Sequence, residues 1–243
     1  MTLGLLITTC KHYYANIPSL VKNIEDCNFP KENVLIVSGQ EDNTSLSREN
    51  DIIMARVNYT GLHLTGPIYL CENPHLFGHV KHWLILPDTI KLGKLFYTNV
   101  MKYYELYLKD TDIQILPFLN PVIRPTMDMG IVHTNHIHNM SDYLSKIKKN
   151  MPFDVLQLKR QLIYDENTIL GLPGWPEAST KFSYTTSKCT PPTIFITNHE
   201  SELSETRIMI GNKVVNEVYF LNLDFYKYQR NFNGPYVNYV MEL

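Results

Sequence analysis

The sequence predicts a single α/β domain whose central sheet is mixed, mostly parallel and flanked by helices. Leu3 to Thr9 (LGLLITT) is a nearly continuous apolar run, as expected for a strand that is covered on both faces. Residues 16–27 follow with apolar side chains at helical spacing, and residues 33–37 (NVLIV) form a second apolar run. A strand, a helix and a strand in this order typically build an open sheet that binds ligands beyond the carboxyl ends of its strands.

Composition narrows the class of protein. The chain has 243 residues, which suits one large domain, and 44% of them are apolar. Its 22 Lys and Arg against 24 Asp and Glu leave no basic excess, so we expect no nucleic-acid partner. The four cysteines form no C-x-x-C pair, which favours reduced thiols in an intracellular protein over a zinc ribbon.

The same sequence predicts a cytoplasmic location. Residues 1–9 are apolar but have no preceding basic segment, and no stretch approaches the ~20 apolar residues that a membrane-spanning helix needs. The abundance of Tyr, Lys, Asn and Ile fits an AT-rich genome, such as that of a large virus acting in host cytoplasm or of a bacterium. The oligomeric state is left open.

The remaining elements are assigned from length, periodicity and flanking Pro or Gly. We predict a polar loop at 40–50, strands at 52–59, 68–70, 82–86, 114–118 and 130–133, and helices at 73–81, 95–109, 139–149 and 154–163. From Gly171 the chain becomes loop-rich, with strands at 193–197, 206–210 and 214–223 and a Gly211-Asn212 hairpin turn between the last two.

Asp88 is the first candidate for a site residue. It follows the apolar run at 82–86 almost at once, and a carboxylate at the end of a buried strand lies at the ligand-binding edge of an α/β sheet. Mg²⁺ and Mn²⁺ prefer oxygen ligands, so such a carboxylate can hold either ion against a diphosphate and neutralise the charge of a leaving group. The competing interpretation is a carboxylate that only caps a turn.

Three segments resemble GT-A-fold glycosyltransferases. LILPDTIKLGKLF (84–96) resembles the stretch in which an apolar strand ends in the Asp-x-Asp metal motif, with a reduced "DT" form in some members. LLITTCKHYYANIPSLVKNIE (5–25) resembles the nucleotide-binding start, and DMGIVHTNHIHNMSDYLSKI (128–147) resembles the acceptor-side strand and helix. The resemblance covers roughly residues 3–147. It departs from the family after Asp88, where Thr89-Ile90 stands in place of x-Asp, so metal binding through the motif is in question.

The resemblance implies transfer of a sugar from a UDP- or GDP-sugar donor to a glycan or another hydroxyl acceptor. Residues 1–125 would form the donor nucleotide-binding half of the domain and residues 126–243 the acceptor-side half. Asp88 would bind Mn²⁺ or Mg²⁺, and a single histidine such as His133 or His199 could serve as a further ligand or a phosphate contact. The implied donor-binding residues are Thr8, Thr9, Lys11, Ser38, Glu41, Asp42 and Thr89.

A catalytic base is required only if the enzyme inverts configuration at the sugar. Asp128, Asp165 and Glu166 are the candidates, and each has an ordinary solvated carboxylate as its competing interpretation. The complete Asp110-Thr111-Asp112 string lies between a predicted helix and a strand, at the wrong end of the sheet, so we interpret it as a solvated turn.

Two groups of histidines keep a different class open. His75, His79 and His82 form one group, and His133, His136 and His138 form another, so a zinc-dependent hydrolase is an alternative. Against it, His82 is predicted to begin a strand, which breaks a shared helical face, and no H-E-x-x-H string occurs. The missing second Asp keeps a third class open, a non-catalytic carbohydrate-binding relative.

Overall fold

The structure is a computed structural model that describes residues 2–58, 62–109, 115–120, 124–149, 196–197, 203–210 and 213–229. Its first elements are strand β1 (Thr2–Cys10), helix α1 (Ile17–Asp26) and strand β2 (Val34–Gly39), with a short 3₁₀ helix at Lys11–Asn16. Pro18 occupies the first turn of α1, where no backbone donor is lost, and one apolar face of the helix is buried. The predicted opening unit is therefore confirmed.

The other described elements complete an α/β arrangement. The helices are α2 (Thr65–Glu72), α3 (Phe96–Tyr107), α4 (Thr134–Asn139) and α5 (Ser141–Lys149). The strands are β3 (Ser45–Glu49), β4 (Ile52–Arg56), β5 (Val80–Pro87), β6 (Ile90–Leu92), β7 (Ile115–Asn120), β8 (Arg124–His133), β9 (Ile196–Thr197), β10 (Leu203–Ile210), β11 (Lys213–Phe220) and β12 (Phe225–Gln229).

The larger sheet has the strand order β3-β4-β2-β1-β5-β8-β7-β9. Its centre, β4-β2-β1-β5, is parallel, whereas β3 and β8 pair antiparallel with their inner neighbours. The chain builds outward from β1 to β2 and β4, and then returns to place β5 on the other side of β1. This reversal makes the gap between β1 and β5 a topological switch point, where open α/β sheets bind ligands.

Helices cover both faces of this sheet. On one face, α1 and α3 pack over a cluster that includes Leu5 and Ile7, and on the other face α2, α4 and α5 pack over a cluster that includes Leu6 and Trp83. The predicted α/β class with a mixed, helix-flanked sheet is confirmed, and the arrangement is consistent with the GT-A-like fold that the resemblance implies. In the described part of the chain, no helix has the length and apolar composition that crossing a membrane requires.

A second sheet joins the C-terminal strands to the middle of the chain. Its order is β10-β11-β12-β6, and all of its pairs are antiparallel. Ile210 pairs with Lys213, which leaves two residues for the connection, as expected for the predicted hairpin; Gly211 and Asn212 themselves lie outside the described residues. Because β12 pairs with β6, the chain near residue 227 is brought next to the chain that follows β5.

Two segments differ from their predicted conformation. The predicted loop at 40–50 contains β3, an edge strand whose residues are all exposed, so no alternation of apolar and polar side chains marks it. The predicted strand at 68–70 lies inside α2, whose residues 65–70 are all buried. Since this helix is covered on nearly every side, its apolar run has no helical period and the pattern does not separate it from a strand.

Smaller differences occur at helix ends. The predicted helix at 73–81 is a 3₁₀ helix at Pro74–Phe77, and β5 already begins at Val80. The predicted helix at 139–149 corresponds to α5, with the separate helix α4 before it. Strand β6 was not predicted, because three residues are too few to show a period. The predicted helix at 154–163 and the start of the strand at 193–197 lie outside the described residues.

Candidate functional site

The candidate site lies at the carboxyl ends of β2, β1 and β5. Thr9 pairs with Ser38 of β2, and Thr8 pairs with Pro87 of β5, immediately before Asp88. Because these three strands are parallel, their last residues share one edge of the sheet. The structure thus brings Thr9, Ser38 and Asp88 together at the switch point, as their positions after apolar runs predict.

Asp88 is a buried carboxylate. Its residue surface is 9% exposed, and its Oδ2 accepts a 2.7 Å hydrogen bond from the Thr9 hydroxyl. Burial raises the pKa of Asp88 to about 6, although the Thr9 hydrogen bond and the charge of Lys227 act in the opposite direction. A carboxylate on an exposed turn would be solvated, whereas Asp88 is buried and held by the Thr9 hydroxyl.

Lys227 is a site residue that the sequence analysis missed. It lies on β12 opposite Ile90, and its Nζ donates a 2.7 Å hydrogen bond to the Thr89 hydroxyl. The backbone N–H of Tyr228 also donates to the Thr89 carbonyl at 2.9 Å, which holds β12 against the segment after β5. Lys227 is 7% exposed, and a lysine is rarely buried so far without a role for its charge.

One signal for Lys227 is present in the sequence. In FYKYQ, the lysine stands two residues after Phe225, and both are buried. A lysine at an inward-facing position of a strand is unusual, because burying an ammonium group costs free energy unless it is paired. The sequence gives no indication of the partner, since Thr89 is 138 residues away along the chain.

Two of the predicted donor-binding acids form local contacts at the rim. Asp42 pairs with Lys11, and both side chains are well exposed, so this ion pair contributes little to stability. Glu41 accepts a 2.5 Å hydrogen bond from the Ser38 hydroxyl, and its backbone N–H donates to the Val57 carbonyl. The loop after β2 is thereby held close to the ends of β1 and β2.

Thr8 lies elsewhere, although the sequence places it next to Thr9. Side chains alternate along a strand, and the Thr8 hydroxyl is directed to the side of α2, where it lies 3.5 Å from the His63 carbonyl. A Cβ on Gly66 of α2 would lie 2.6 Å from this hydroxyl, which shows how closely the helix and strand approach. Thr8 therefore packs under α2 and does not lie beside Asp88.

Two further groups at this edge bear on its chemistry. Arg56, the residue paired with Ser38 at the end of β4, lies over the Tyr14 ring with its Cζ 4.3 Å from the ring centroid. Arg56 and Lys11 add positive charge to the edge that already contains Lys227. Burial raises the pKa of Cys10 to about 11, so this thiol is protonated at neutral pH and does not act as a thiolate nucleophile.

The described residues offer a divalent cation a poor site at Asp88. Mg²⁺ is commonly held by one or two protein carboxylates together with waters and substrate phosphates, so the surroundings of a single carboxylate decide whether it can hold the ion. Asp88 offers one carboxylate, one oxygen of which already accepts from Thr9, and the Lys227 ammonium lies next to it. The described parts of the chain contain no group of three His, Cys, Asp or Glu that could hold a metal ion.

The other predicted site residues are not placed by the structure. Asp128 lies on the backbone of β8, but its side chain is outside what the structure describes. Asp165, Glu166 and His199, together with the Asp110-Thr111-Asp112 string, lie outside the described residues. Their roles as base, metal ligand or turn stay predictions.

Within the described parts of the chain, the two histidine groups do not form the shared face that a zinc site would need. His79 contacts the Asn33 side chain at 2.8 Å, whereas His82 points into the core from β5. The rings of His82 and His133 meet at a centroid distance of 4.7 Å, and burial lowers the pKa of His82 to about 3. His133 accepts from the Asn135 N–H through Nδ1 and so caps α4. These are contacts of packing and capping.

Comparisons with known proteins add little to this description. No protein-family model matches the sequence, and no curated protein matches it. Among solved structures, the chain is similar to a glycosyltransferase involved in the glycosylation of the major capsid of PBCV-1. The TM-score is 0.43 and the identity is 10%, over 80% of this chain and 82% of that chain. A similarity at this level carries no argument about activity.

Proposed function

We propose that the protein is a glycosyltransferase that moves a sugar from a nucleoside-diphosphate sugar to a hydroxyl acceptor. The observation that carries the proposal is the arrangement of Thr9, Asp88 and Lys227 at the switch point between β1 and β5. Burying the Asp88 carboxylate and the Lys227 ammonium costs free energy. Their presence together at the ligand-binding edge of the sheet therefore favours a functional role.

The charges of this edge suit a nucleoside diphosphate. Three positively charged residues come from separate parts of the chain: Lys227 lies within β12, Lys11 follows β1 and Arg56 ends β4. Positive charge in a partly buried site attracts a diphosphate and stabilises it more strongly than in open water. The acidic Asp88, Glu41 and Asp42 offer acceptors for hydroxyls of a ribose or a sugar, as acids after strands do in nucleotide-binding sheets.

The reaction needs three events at this site. The bond between the anomeric carbon of the donor sugar and the diphosphate oxygen breaks, and the bonding electron pair leaves with the diphosphate. The acceptor oxygen forms a bond to the same carbon, and the acceptor hydroxyl gives its proton to a base. If the configuration inverts, that base is a side chain, for which Asp128, Asp165 and Glu166 remain the candidates. If it is retained, the departing diphosphate itself can take the proton.

Asp88 fits the positioning part of this mechanism. The Thr9 hydrogen bond holds its carboxylate in one orientation, and at neutral pH the group is ionised, since its pKa lies at about 6. An ionised carboxylate fixed in this way accepts hydrogen bonds from donor hydroxyls and selects one orientation of the donor. Orientation of bound reactants accounts for a large share of the acceleration by enzymes.

The test is a panel of UDP-sugars, GDP-sugars and free UDP and GDP. One nucleotide class is expected to raise the melting temperature, because a ligand that binds only the folded state stabilises it. Donor consumption in the presence of acceptor glycans then tests transfer. Asp88→Asn should abolish transfer, and Asp26→Asn on the exposed side of α1 is the matched control.

Three results contradict the proposal in different ways. If no nucleotide in the panel raises the melting temperature, the protein does not have the proposed donor site. Nucleotide binding without donor hydrolysis or transfer, over a broad acceptor panel, favours a non-catalytic relative. Full transfer by Asp88→Asn moves the reacting site away from the switch point.

A further inference from the structure

We infer that donor binding at this site is independent of a divalent cation, and that the ammonium group of Lys227 supplies the positive charge beside the diphosphate. This inference rests on the proposed glycosyltransferase function and specifies how its site handles charge.

The third position of the incomplete Asp-x-Asp motif belongs to the protein core. Ile90 is 3% exposed, lies in β6 and packs within the larger hydrophobic cluster. It also pairs directly with Lys227 of β12. A carboxylate at position 90 would therefore be buried in an apolar cluster, so the second metal ligand of the motif is excluded by packing as well as absent from the sequence.

The Lys227 ammonium is fixed next to Asp88. The Thr89 hydroxyl accepts a hydrogen bond from the Lys227 Nζ at 2.7 Å, and the Thr89 carbonyl accepts one from the Tyr228 N–H at 2.9 Å. The side chain and the backbone of Thr89 are therefore both bound to β12. Beyond the Lys227–Ile90 pair, the antiparallel pairs of Tyr226 with Lys91 and of Phe225 with Leu92 continue the same register. Backbone pairing fixes where the Lys227 side chain begins, and the burial of the residue and the Thr89 hydrogen bond hold its Nζ.

A divalent cation and this ammonium would compete for one carboxylate. A metal ion bound to Asp88 would be repelled by the neighbouring ammonium, and repulsion between like charges is strong where water is largely excluded. Asp88 also has one oxygen engaged by Thr9. A diphosphate, in contrast, is attracted by Lys227 directly, because its oxygens accept hydrogen bonds from an ammonium group.

Binding of free UDP and GDP, measured by calorimetry in excess EDTA and again with added Mn²⁺, tests the inference. We expect one nucleotide to bind with the same dissociation constant under both conditions. Lys227→Met should weaken that binding by about tenfold or more, since a charge-assisted contact to phosphate is lost. Lys227→Arg should retain most of it, because the positive charge is kept.

Lys91→Met is the matched control, since Lys91 lies on β6, is exposed and is replaced by the same residue. It should bind nucleotide like the wild type. If Lys227→Met does not fold, as judged by circular dichroism, the comparison of EDTA with Mn²⁺ on the wild type still decides whether a metal is needed.

The outcomes separate this inference from the proposed function. Binding that requires Mn²⁺ overturns the inference and leaves the glycosyltransferase proposal standing. If a folded Lys227→Met variant binds the nucleotide in EDTA as tightly as the wild type, Lys227 does not contact the diphosphate. Failure of both nucleotides to bind under either condition overturns the proposed function as well.

Discussion

Replacing Asp88 by Asn should stabilise the protein at neutral pH while it abolishes transfer. Asn has nearly the same shape, and its amide oxygen can accept the Thr9 hydrogen bond, but it carries no charge. Burial raises the pKa of Asp88 from 3.8 to about 6 in spite of the nearby Lys227. At 1.36 kcal/mol for each pKa unit, ionised Asp88 lowers the free energy of unfolding by about 3 kcal/mol.

The sign of the effect depends on pH. Above about pH 6 the carboxylate is ionised in both states, so the full cost of burying it is present. As the pH falls through the window from about 6 to 3.8, the folded state takes up its proton first and the cost disappears. The Asn variant should therefore exceed the wild type by about 2–3 kcal/mol near pH 7.5 and by close to zero near pH 4.

Urea unfolding of both proteins at the two pH values measures this difference. Comparison at each pH also cancels the contribution of His82, which both proteins share. Asp26→Asn, which changes an exposed acid, should show no such pH-dependent gain. If Asp88→Asn is less stable than the wild type at neutral pH, the carboxylate is held by Lys227 as a net stabilising ion pair, and the argument from burial is wrong.

Three further changes test the packing around the site. The Asp224 carboxylate accepts a 2.8 Å hydrogen bond from the Leu95 N–H, just before α3. Asp224→Ala should therefore lower the free energy of unfolding in urea titrations by about 1–2 kcal/mol. An unchanged value would show that this hydrogen bond does not stabilise the start of α3. Gly66→Ala should cost about 1–3 kcal/mol, since its Cβ would lie 2.6 Å from a β1 hydroxyl, whereas Gly78→Ala, with no heavy atom within 4 Å, should be tolerated. The folded state holds the pKa of His82 at about 3, below the usual 6.5, so the wild type loses stability as the pH falls below 6.5. His82→Phe should therefore lose less melting temperature on acidification than the wild type does. Equal losses in the two proteins would contradict this expectation.

Local patterns account for the elements that the sequence predicted well. Strands β1, β2 and β5 are continuous apolar runs because helices cover both faces of the central sheet, and α1 keeps a clear helical period because only one of its faces is buried. Where burial is complete or absent, the pattern carries no period. For this reason the pattern of α2 resembles that of a strand and the pattern of β3 resembles that of a loop.

Local sequence indicates some features of the candidate site and not others. Asp88 could be found from the sequence, since a carboxylate after an apolar strand marks the end of that strand and hence the edge of the sheet. Its hydrogen bond from Thr9 spans 79 residues and depends on the pairing of β5 with β1, which lies outside the predicted β-α-β unit. The predicted metal at Asp88 stays a prediction that the described residues do not favour.

The α/β class, the opening β-α-β unit and the position of Asp88 after an apolar strand follow from local sequence. Each of these depends on neighbours along the chain, whose spacing sets which side chains are buried. What lies beside Asp88 depends instead on long-range strand pairing. Lys227 reaches it because β12 pairs with β6, and a pairing between strands more than 130 residues apart leaves no periodic trace in either segment. The position of the charge that we propose for diphosphate binding therefore depends on the long-range register of two short strands.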